Sequence, residues 1–123
     1  MCKRILVADD DPAILDAMRM ILELEGYDVD TTVNGETIYK MEKDYPSVLL
    51  LDIWMSGQDG REICKFLKND PLTQKIPIIM VSASHDIMKS AKEAGADDFL
   101  EKPFEIEELL ETVKKHADLG NKN

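Results

Sequence analysis

Short apolar runs alternate with longer stretches of helical periodicity along all 123 residues, and this alternation constrains the fold more than any other feature of the sequence. Strands that alternate with helices predict right-handed βαβ units and a parallel sheet. The third and fourth runs, SVLLL and IPIIMVS, are apolar on both faces, as expected for central strands that helices cover on both sides. The sequence therefore predicts a three-layer α/β fold with five strands, at 4–8, 28–32, 47–51, 76–82 and 97–100.

Helical spacing fills the intervals between the strands. The first helix is predicted at 12–25, between an Asp11 N-cap and a Gly26 stop. The fourth has a thin apolar stripe, so it is thinly anchored and a candidate for motion. The other helices are predicted at about 35–43, from Asp59 onward, at 86–94 and at 105–117. Expected inward-facing residues are Ile63, Phe66 and Leu67 in the third helix, Met88, Ala91 and Ala94 in the fourth, and Ile106, Leu109, Leu110 and Val113 in the fifth.

Composition and charge exclude several classes of protein. The length fits one domain, which we place at 1–119, followed by a frayed polar tail at 120–123. A net charge of −10 argues against nucleic-acid binding by this domain, because such binding needs a basic surface. The longest apolar run, Val48 to Leu51, is too short to span a membrane, and the opening residues lack the apolar core of a signal peptide. Cys2 and Cys64 form no metal or redox motif, so a cytoplasmic protein with free thiols is expected.

Acidic residues follow the first and third strands. Asp9 and Asp10 come directly after the first strand, and Asp52 ends the third. Because parallel strands present their carboxyl ends at one edge, these acids should lie close together. Their mutual repulsion, roughly 1–4 kcal/mol per pair at surface-like dielectric, favours a bound cation. Oxygen-only ligands suit Mg²⁺, which prefers phosphate groups as additional partners.

The fourth and fifth strands lead to residues that suit a phosphoryl group. A carboxylate such as Asp52 can act as a nucleophile and hold the group as an acyl phosphate. Lys102 would supply positive charge to one phosphoryl oxygen, and the Ser82 hydroxyl would donate a hydrogen bond to another. Ala83 is small and leaves room for the group to enter.

Four segments together resemble the receiver family of two-component signalling, over essentially the whole chain. The resemblance implies a flavodoxin-like (βα)5 fold with strand order 2-1-3-4-5 and a receiver domain over 1–119. The matching segments are ILVADDDP (5–12), LLLDIWMSGQDG (49–60), IIMVSA (78–83) and GADDFLEKPF (95–104).

The resemblance also implies a role for each acid. Asp52 would be the phosphoacceptor, and Asp9 and Asp10 would be the acid pair of the metal site. Asp10 and Asp52 would bind Mg²⁺ directly, with Mn²⁺ as a possible substitute. The backbone carbonyl of Trp54 would be the third protein ligand.

The family's switch residues match as well. Ser82 and Lys102 stand at the positions of the switch hydroxyl and lysine, and Phe99 stands at that of the switch aromatic. The peptide bond before Pro103 is typically cis in the family. Phosphorylation would remodel the surface of the fourth helix, fifth strand and fifth helix.

Three positions depart from the family pattern or tune the reaction. Ser56 replaces the usual proline in the loop after Asp52, and Ser84 is small and polar. In the family, the positions of Trp54 and Ser84 influence access of water to the acyl phosphate. We therefore hypothesise that the bulk of Trp54 slows hydrolysis.

The resemblance implies a signalling switch rather than an enzyme. Its phosphodonor would be a histidine kinase or a phosphotransfer protein, and its output would be a protein partner or an effector domain outside this sequence. A monomer or a weak phosphorylation-dependent homodimer is expected. Direct contact with nucleic acid or membrane is not.

Several of these residues also have simpler structural interpretations. Asp11 and Asp59 are best explained as helix caps, and Phe99 could simply pack in the core. A flavodoxin-like electron carrier would need a phosphate loop rich in Ser, Thr and Gly after the first strand, where this chain has DDDPA, whose charge would repel a flavin phosphate. An aspartyl phosphatase would carry its nucleophile after the first strand. A scaffold that has lost phosphorylation would not need the full set of acceptor residues.

Overall fold

Five parallel strands form the central sheet. The computed structural model describes residues 3–41, 45–55, 57–83 and 86–120, with the backbone alone for 118–120. The strands are β1 (Arg4–Ala8), β2 (Asp28–Thr32), β3 (Val48–Asp52), β4 (Ile78–Ser82) and β5 (Asp98–Glu101). The first two have the predicted bounds, and the others begin or end one or two residues away. The sheet order is β2-β1-β3-β4-β5, which confirms the predicted flavodoxin-like order 2-1-3-4-5.

Five helices connect and follow the strands. Asp11 caps the first helix by accepting a hydrogen bond from the Ala13 N–H, and Asp59 caps the third by accepting one from the Arg61 N–H. Both caps agree with the sequence-based interpretation. The fourth helix ends at Gly95, whose φ of 85° lies in the left-handed region that favours glycine. The helices are α1 (Pro12–Leu24), α2 (Glu36–Tyr39), α3 (Gly60–Lys68), α4 (Ile87–Ala94) and α5 (Ile106–Gly120).

The core lies on both faces of the sheet. Leu49 and Leu51 of β3 pack with residues of α2, α3 and α4. Val48 and Leu50 of the same strand pack with residues of α1 and α5. All four side chains are at most 1% exposed, and burying each contributes about 1.5–3 kcal/mol. This double burial fixes the strand and therefore the position of its last residue, Asp52.

Three of the helix residues that we expected in the core are exposed. Phe66, Met88 and Ile106 are 44%, 51% and 56% exposed. Phe66 lies at the margin of α3, where its ring meets the Tyr39 ring edge-on at 4.8 Å. In α4 the preceding residue, Ile87, enters the core instead of Met88.

A short antiparallel ribbon follows β3 and was not predicted. Trp54 and Met55 pair with Gln58 and Asp59, and the turn contains Gly57 with a φ of 80°. The side-chain oxygen of Gln58 accepts a hydrogen bond of 2.6 Å from the N–H of Gly35, which ties the ribbon to the start of α2.

Within the described ranges, no helix has the length and apolar character needed to cross a membrane. Most of the tail predicted at 120–123 lies outside the described residues, since α5 runs to Gly120 and residues 121–123 are not described.

Candidate functional site

Three carboxylates meet at the carboxyl edge of the sheet. One oxygen from each of Asp9, Asp10 and Asp52 lies within 4.8 Å of the others. Asp9 is only 3% exposed, Asp10 is exposed and Asp52 lies between these extremes. The ends of β1 and β3 are adjacent in the sheet, so the juxtaposition predicted from the strand order is present.

Asp9 is held by contacts on both sides of its carboxylate. Its backbone N–H donates to the carbonyl oxygen of Thr32 at 3.1 Å. Its Oδ1 accepts from the N–H of Asp11 at 3.0 Å, and its Oδ2 accepts from Nζ of Lys102 at 2.9 Å. A buried carboxylate with these partners is fixed in position.

Lys102 bridges two of the acids. Its Nζ lies 2.9 Å from Oδ2 of Asp9 and 3.8 Å from Oδ1 of Asp52. Its backbone N–H donates to the carbonyl of Ser82 at 2.8 Å, which joins the ends of β4 and β5. The peptide bond between Lys102 and Pro103 is cis. The lysine is therefore already at the acidic edge, paired mainly with Asp9.

The environment of Asp52 opposes its ionisation. Burial raises its pKa to about 6, and the negative charges of Asp9 and Asp10 act in the same direction. The positive charge of Lys102 lowers the pKa and only partly offsets these effects. Because Lys102 offsets only part of these effects, an additional positive charge at this site would stabilise the ionised form of Asp52.

The remaining predicted residues that the structure describes lie in or directly after β4 and β5. Ser82 ends β4 and is 7% exposed, and Ala83 follows it at the surface. Phe99 lies three residues before Lys102, beside Met80, and packs against the core on the α4 side. Ser56 and Ser84 lie outside the described residues.

Sequence reasoning missed Gly60 at this site. A Cβ at this position would clash with the backbone carbonyl oxygen of Asp52 and would lie 3.0 Å from Cα of Ile53. The N–H of Gly60 also donates to the carbonyl of Ile53. The start of α3 therefore packs directly on the backbone of the proposed phosphoacceptor. The motif DG indicated a turn but not this close approach.

Arg61 was missed as well. Its guanidinium makes bidentate hydrogen bonds to the Asp59 carboxylate, and Nη2 donates to Oδ2 at 2.7 Å. The Cζ of Arg61 lies 5.5 Å from the centroid of the Trp54 ring. Trp54 itself is 59% exposed. The two-residue strands that bring these side chains together leave no periodic signal in the sequence.

An apolar groove adjoins the acidic edge. Its volume is about 430 Å³, and it lies between α1 and the segment 102–106. Ala83 and Lys102 line it as well, so the groove borders the site. The apolar lining comes from Ile14, Met18, Ile21, Pro103, Phe104 and Ile106.

Comparison with known proteins decides which family this arrangement belongs to. The model of the response regulator receiver domain matches residues 5–114. The chain belongs to the receiver domain family. Receiver domains of response regulators are signalling switches rather than enzymes. The acidic cluster of this one can hold a divalent cation.

Similar proteins come from several organisms. RpaA of Synechocystis sp., a DNA-binding transcriptional regulator, is 39% identical over 114 residues, which cover 90% of this chain. The response regulator PleD of Caulobacter vibrioides is 38% identical over 117 residues, or 93% of this chain. The crystal structure of a putative response regulator from Chloroflexus aurantiacus has a TM-score of 0.88 at 35% identity, and covers 96% of this chain and 99% of that chain.

The curated relatives are longer than the matched region. The chain spans 47% of the length of RpaA and 26% of that of PleD. The receiver protein from Methanospirillum hungatei, by contrast, is matched over 98% of its chain and 99% of this one, with a TM-score of 0.87 and 35% identity.

Proposed function

We propose that Asp52 accepts a phosphoryl group from a phosphohistidine of a histidine kinase or phosphotransfer protein. The observation that carries the proposal is the convergence of Asp9, Asp10 and Asp52 within 4.8 Å, with Lys102 Nζ at 3.8 Å from Asp52. Each of these groups has a task in such a transfer, and together they come from three separate strand ends.

The donor set fits a hard divalent cation. The carboxylates of Asp10 and Asp52 and the backbone carbonyl of Trp54 would hold Mg²⁺, with Mn²⁺ as a substitute, and Asp9 would support the pair. Bound there, the ion would neutralise the acids and polarise the phosphoryl group. The raised pKa of Asp52 supports this proposal, because part of the shift comes from the charges of Asp9 and Asp10.

The transfer itself is a simple exchange of bonds. A carboxylate oxygen of Asp52 bonds to phosphorus while the bond from phosphorus to the imidazole nitrogen breaks, and the imidazole keeps the electron pair. Lys102 then moves its Nζ from Asp9 toward a phosphoryl oxygen, and the Ser82 hydroxyl donates to another. The product is an acyl phosphate on Asp52.

These new contacts are proposed to shift the protein between two packings. Ser82 and Lys102 would draw the loop after β4 inward, and Phe99 would rotate into the space released. The affected surface is that of α4, β5 and α5. A protein partner or an attached effector domain would recognise it, either on a monomer or on a weak homodimer, in the cytoplasm.

The groove beside α1 is the proposed docking place of the phosphodonor. A donor protein must cover this edge to bring a histidine to Asp52, and the groove offers apolar surface on the same side as Ala83 and Lys102. Replacing Ile14 with Asp is expected to slow transfer from a donor protein. It should leave phosphorylation by a small acyl phosphate unchanged.

Titration of Mg²⁺ followed by beryllofluoride, a phosphoryl mimic, tests the site through the fluorescence of Trp54, the only tryptophan. We expect a saturable change with Mg²⁺ and a second change with beryllofluoride that requires Mg²⁺. Asp52→Asn should abolish the second step. A silent signal at both steps, with an unchanged NMR spectrum, would contradict the proposal.

A further inference from the structure

Trp54 lies two residues beyond Asp52, yet its side chain is 59% exposed. Its backbone is firmly placed, because it pairs with Asp59 in the ribbon and the next residue, Met55, is fully buried. A large exposed side chain on a fixed backbone can still adopt several rotamers. Something else must hold the indole if it is to have one orientation.

Arg61 makes the contact that can do so. Its guanidinium carbon lies 5.5 Å from the centroid of the Trp54 ring, within the range of a cation–π contact. Hydrogen bonds from Nε and Nη2 to the Asp59 carboxylate, at 2.9 and 2.7 Å, fix the plane of the guanidinium. The same carboxylate caps α3 by accepting from the Arg61 N–H at 2.9 Å. Asp59 thus anchors the cation and the helix at once.

The base of this assembly is tied to the site. Gly60, between Asp59 and Arg61, packs on the backbone of Asp52 and donates its N–H to Ile53. Ribbon, helix start and phosphoacceptor therefore form one continuous unit. A substitution that changes how Arg61 is held should therefore change the order of the Trp54 indole and leave the acids of the site unchanged.

We propose that Arg61, clasped by Asp59, is a positioning residue that orders the Trp54 indole and thereby lengthens the lifetime of phosphorylated Asp52. The inference rests on the proposed function. In hydrolysis, a water oxygen bonds to phosphorus as the bond from phosphorus to the Asp52 oxygen breaks. Inorganic phosphate and the Asp52 carboxylate result, and the water proton leaves with the phosphate or to solvent. An ordered indole, two residues beyond Asp52 in the chain, would restrict the approach of that water.

Four substitutions in the full chain test the contact between Arg61 and Asp59. Arg61→Gln removes the cation, and Asp59→Asn weakens the two-pronged anchor while keeping a good helix cap. Trp54→Ala is combined with Arg61→Gln in a double-mutant cycle. Lys65→Gln is the matched control, since it removes an exposed ion pair with Glu62 on the same helix.

Two measurements follow. Acrylamide quenching of Trp54 in the unphosphorylated protein reports the order of the indole, and intact-mass spectrometry over time reports the half-life of the acyl phosphate. We expect Arg61→Gln and Asp59→Asn to raise the quenching constant. We also expect them to shorten the half-life about two- to fivefold, the scale of an exposed cation–π contact. Lys65→Gln should change neither.

The double-mutant cycle separates positioning from a general structural effect. In the Trp54→Ala background, Arg61→Gln should have no further effect on the half-life. A half-life that is unchanged in both single variants, or that shortens equally without Trp54, would overturn the inference. If the wild type accepts no phosphoryl group, the proposed function fails and the lifetime claim fails with it, whereas the quenching result still decides whether Arg61 orders Trp54.

Discussion

At the scale of single residues, Asp52 combines a chemical task with an energetic cost. Burial, reinforced by Asp9 and Asp10, raises its pKa to about 6 from an ordinary value of 3.8. The folded protein therefore binds the proton more tightly than the unfolded chain does. The contribution of Asp52 to the stability of the fold falls as pH rises from about 4 through 6, because the carboxylate must then be ionised in an unfavourable place.

This cost predicts a stabilising substitution. Asp52→Asn should raise the free energy of unfolding in metal-free buffer at pH 7.5 by on the order of 1–2 kcal/mol, and the gain should vanish near pH 3.5, where both forms are neutral. Urea denaturation at the two pH values measures it. Asp16→Asn, at an exposed position of α1, is the control. A gain of equal size at both pH values would contradict the electrostatic explanation.

Gly60 is the second residue at which a small substitution should have a large effect on stability. Its Cβ would clash with the carbonyl of Asp52, a rigid backbone atom, so the start of α3 or the end of β3 must shift. We expect Gly60→Ala to lower the free energy of unfolding by about 1–3 kcal/mol, as overpacked substitutions do, and to slow phosphorylation of Asp52. Urea denaturation and the rate of mass gain check both effects. Glu62→Ala, at an exposed position two residues further along the same helix, should do neither. A Gly60→Ala variant with normal stability would show that the close approach is unimportant.

At the scale of elements, the sequence predicted what has a period and missed what depends on contacts between distant segments. The bounds of β1 and β2 followed directly from their apolar and β-branched runs. The positions of Phe66 and Met88 did not, because neighbouring residues of the same helix, Cys64 and Ile87, were equally able to face the core. The ribbon after β3 depends on Gln58 reaching the N–H of Gly35, a contact that no local pattern encodes.

The link between β5 and α5 is another contact of this kind. His116 is 8% exposed, and its Nε2 lies 2.9 Å from Oδ2 of Asp98, eighteen residues earlier. Oδ1 of Asp98 accepts from the N–H of Phe99, the proposed switch aromatic. Although burial opposes ionisation of Asp98, its hydrogen bonds from His116 and Phe99 and the charge of Lys115 prevail and lower its pKa.

A lowered pKa means that Asp98 stabilises the fold above its unfolded pKa and loses this effect as pH falls through its folded value. We expect Asp98→Asn to lower the free energy of unfolding by about 1–2 kcal/mol at pH 7, the scale of a charge-assisted hydrogen bond. The difference from the wild type should shrink toward pH 3. Urea denaturation at both pH values checks this, with Asp16→Asn as the exposed control. Equal stability of Asp98→Asn and the wild type at pH 7 would show that the pair contributes nothing.

At the scale of the whole molecule, the sheet topology assembled the site as the sequence predicted. Asp9, Asp10 and Asp52 were expected together because β1 and β3 are adjacent and parallel, and Lys102 because β5 ends at the same edge. What the topology could not predict is how these charges pair. The side chain of Lys102 lies nearer to Asp9 than to Asp52, at 2.9 against 3.8 Å. That preference leaves Asp52 available for its proposed role as the acceptor.

Intact-mass spectrometry of the protein with acetyl phosphate tests the central claim most directly. With Mg²⁺ present, the account predicts a mass gain of one phosphoryl group, located on Asp52 after trapping and peptide mapping. The gain should disappear when the metal is chelated, and it should be absent from Asp52→Asn. A wild type that gains no mass with donor and Mg²⁺, or an Asp52→Asn variant that gains as much as the wild type, would contradict the account.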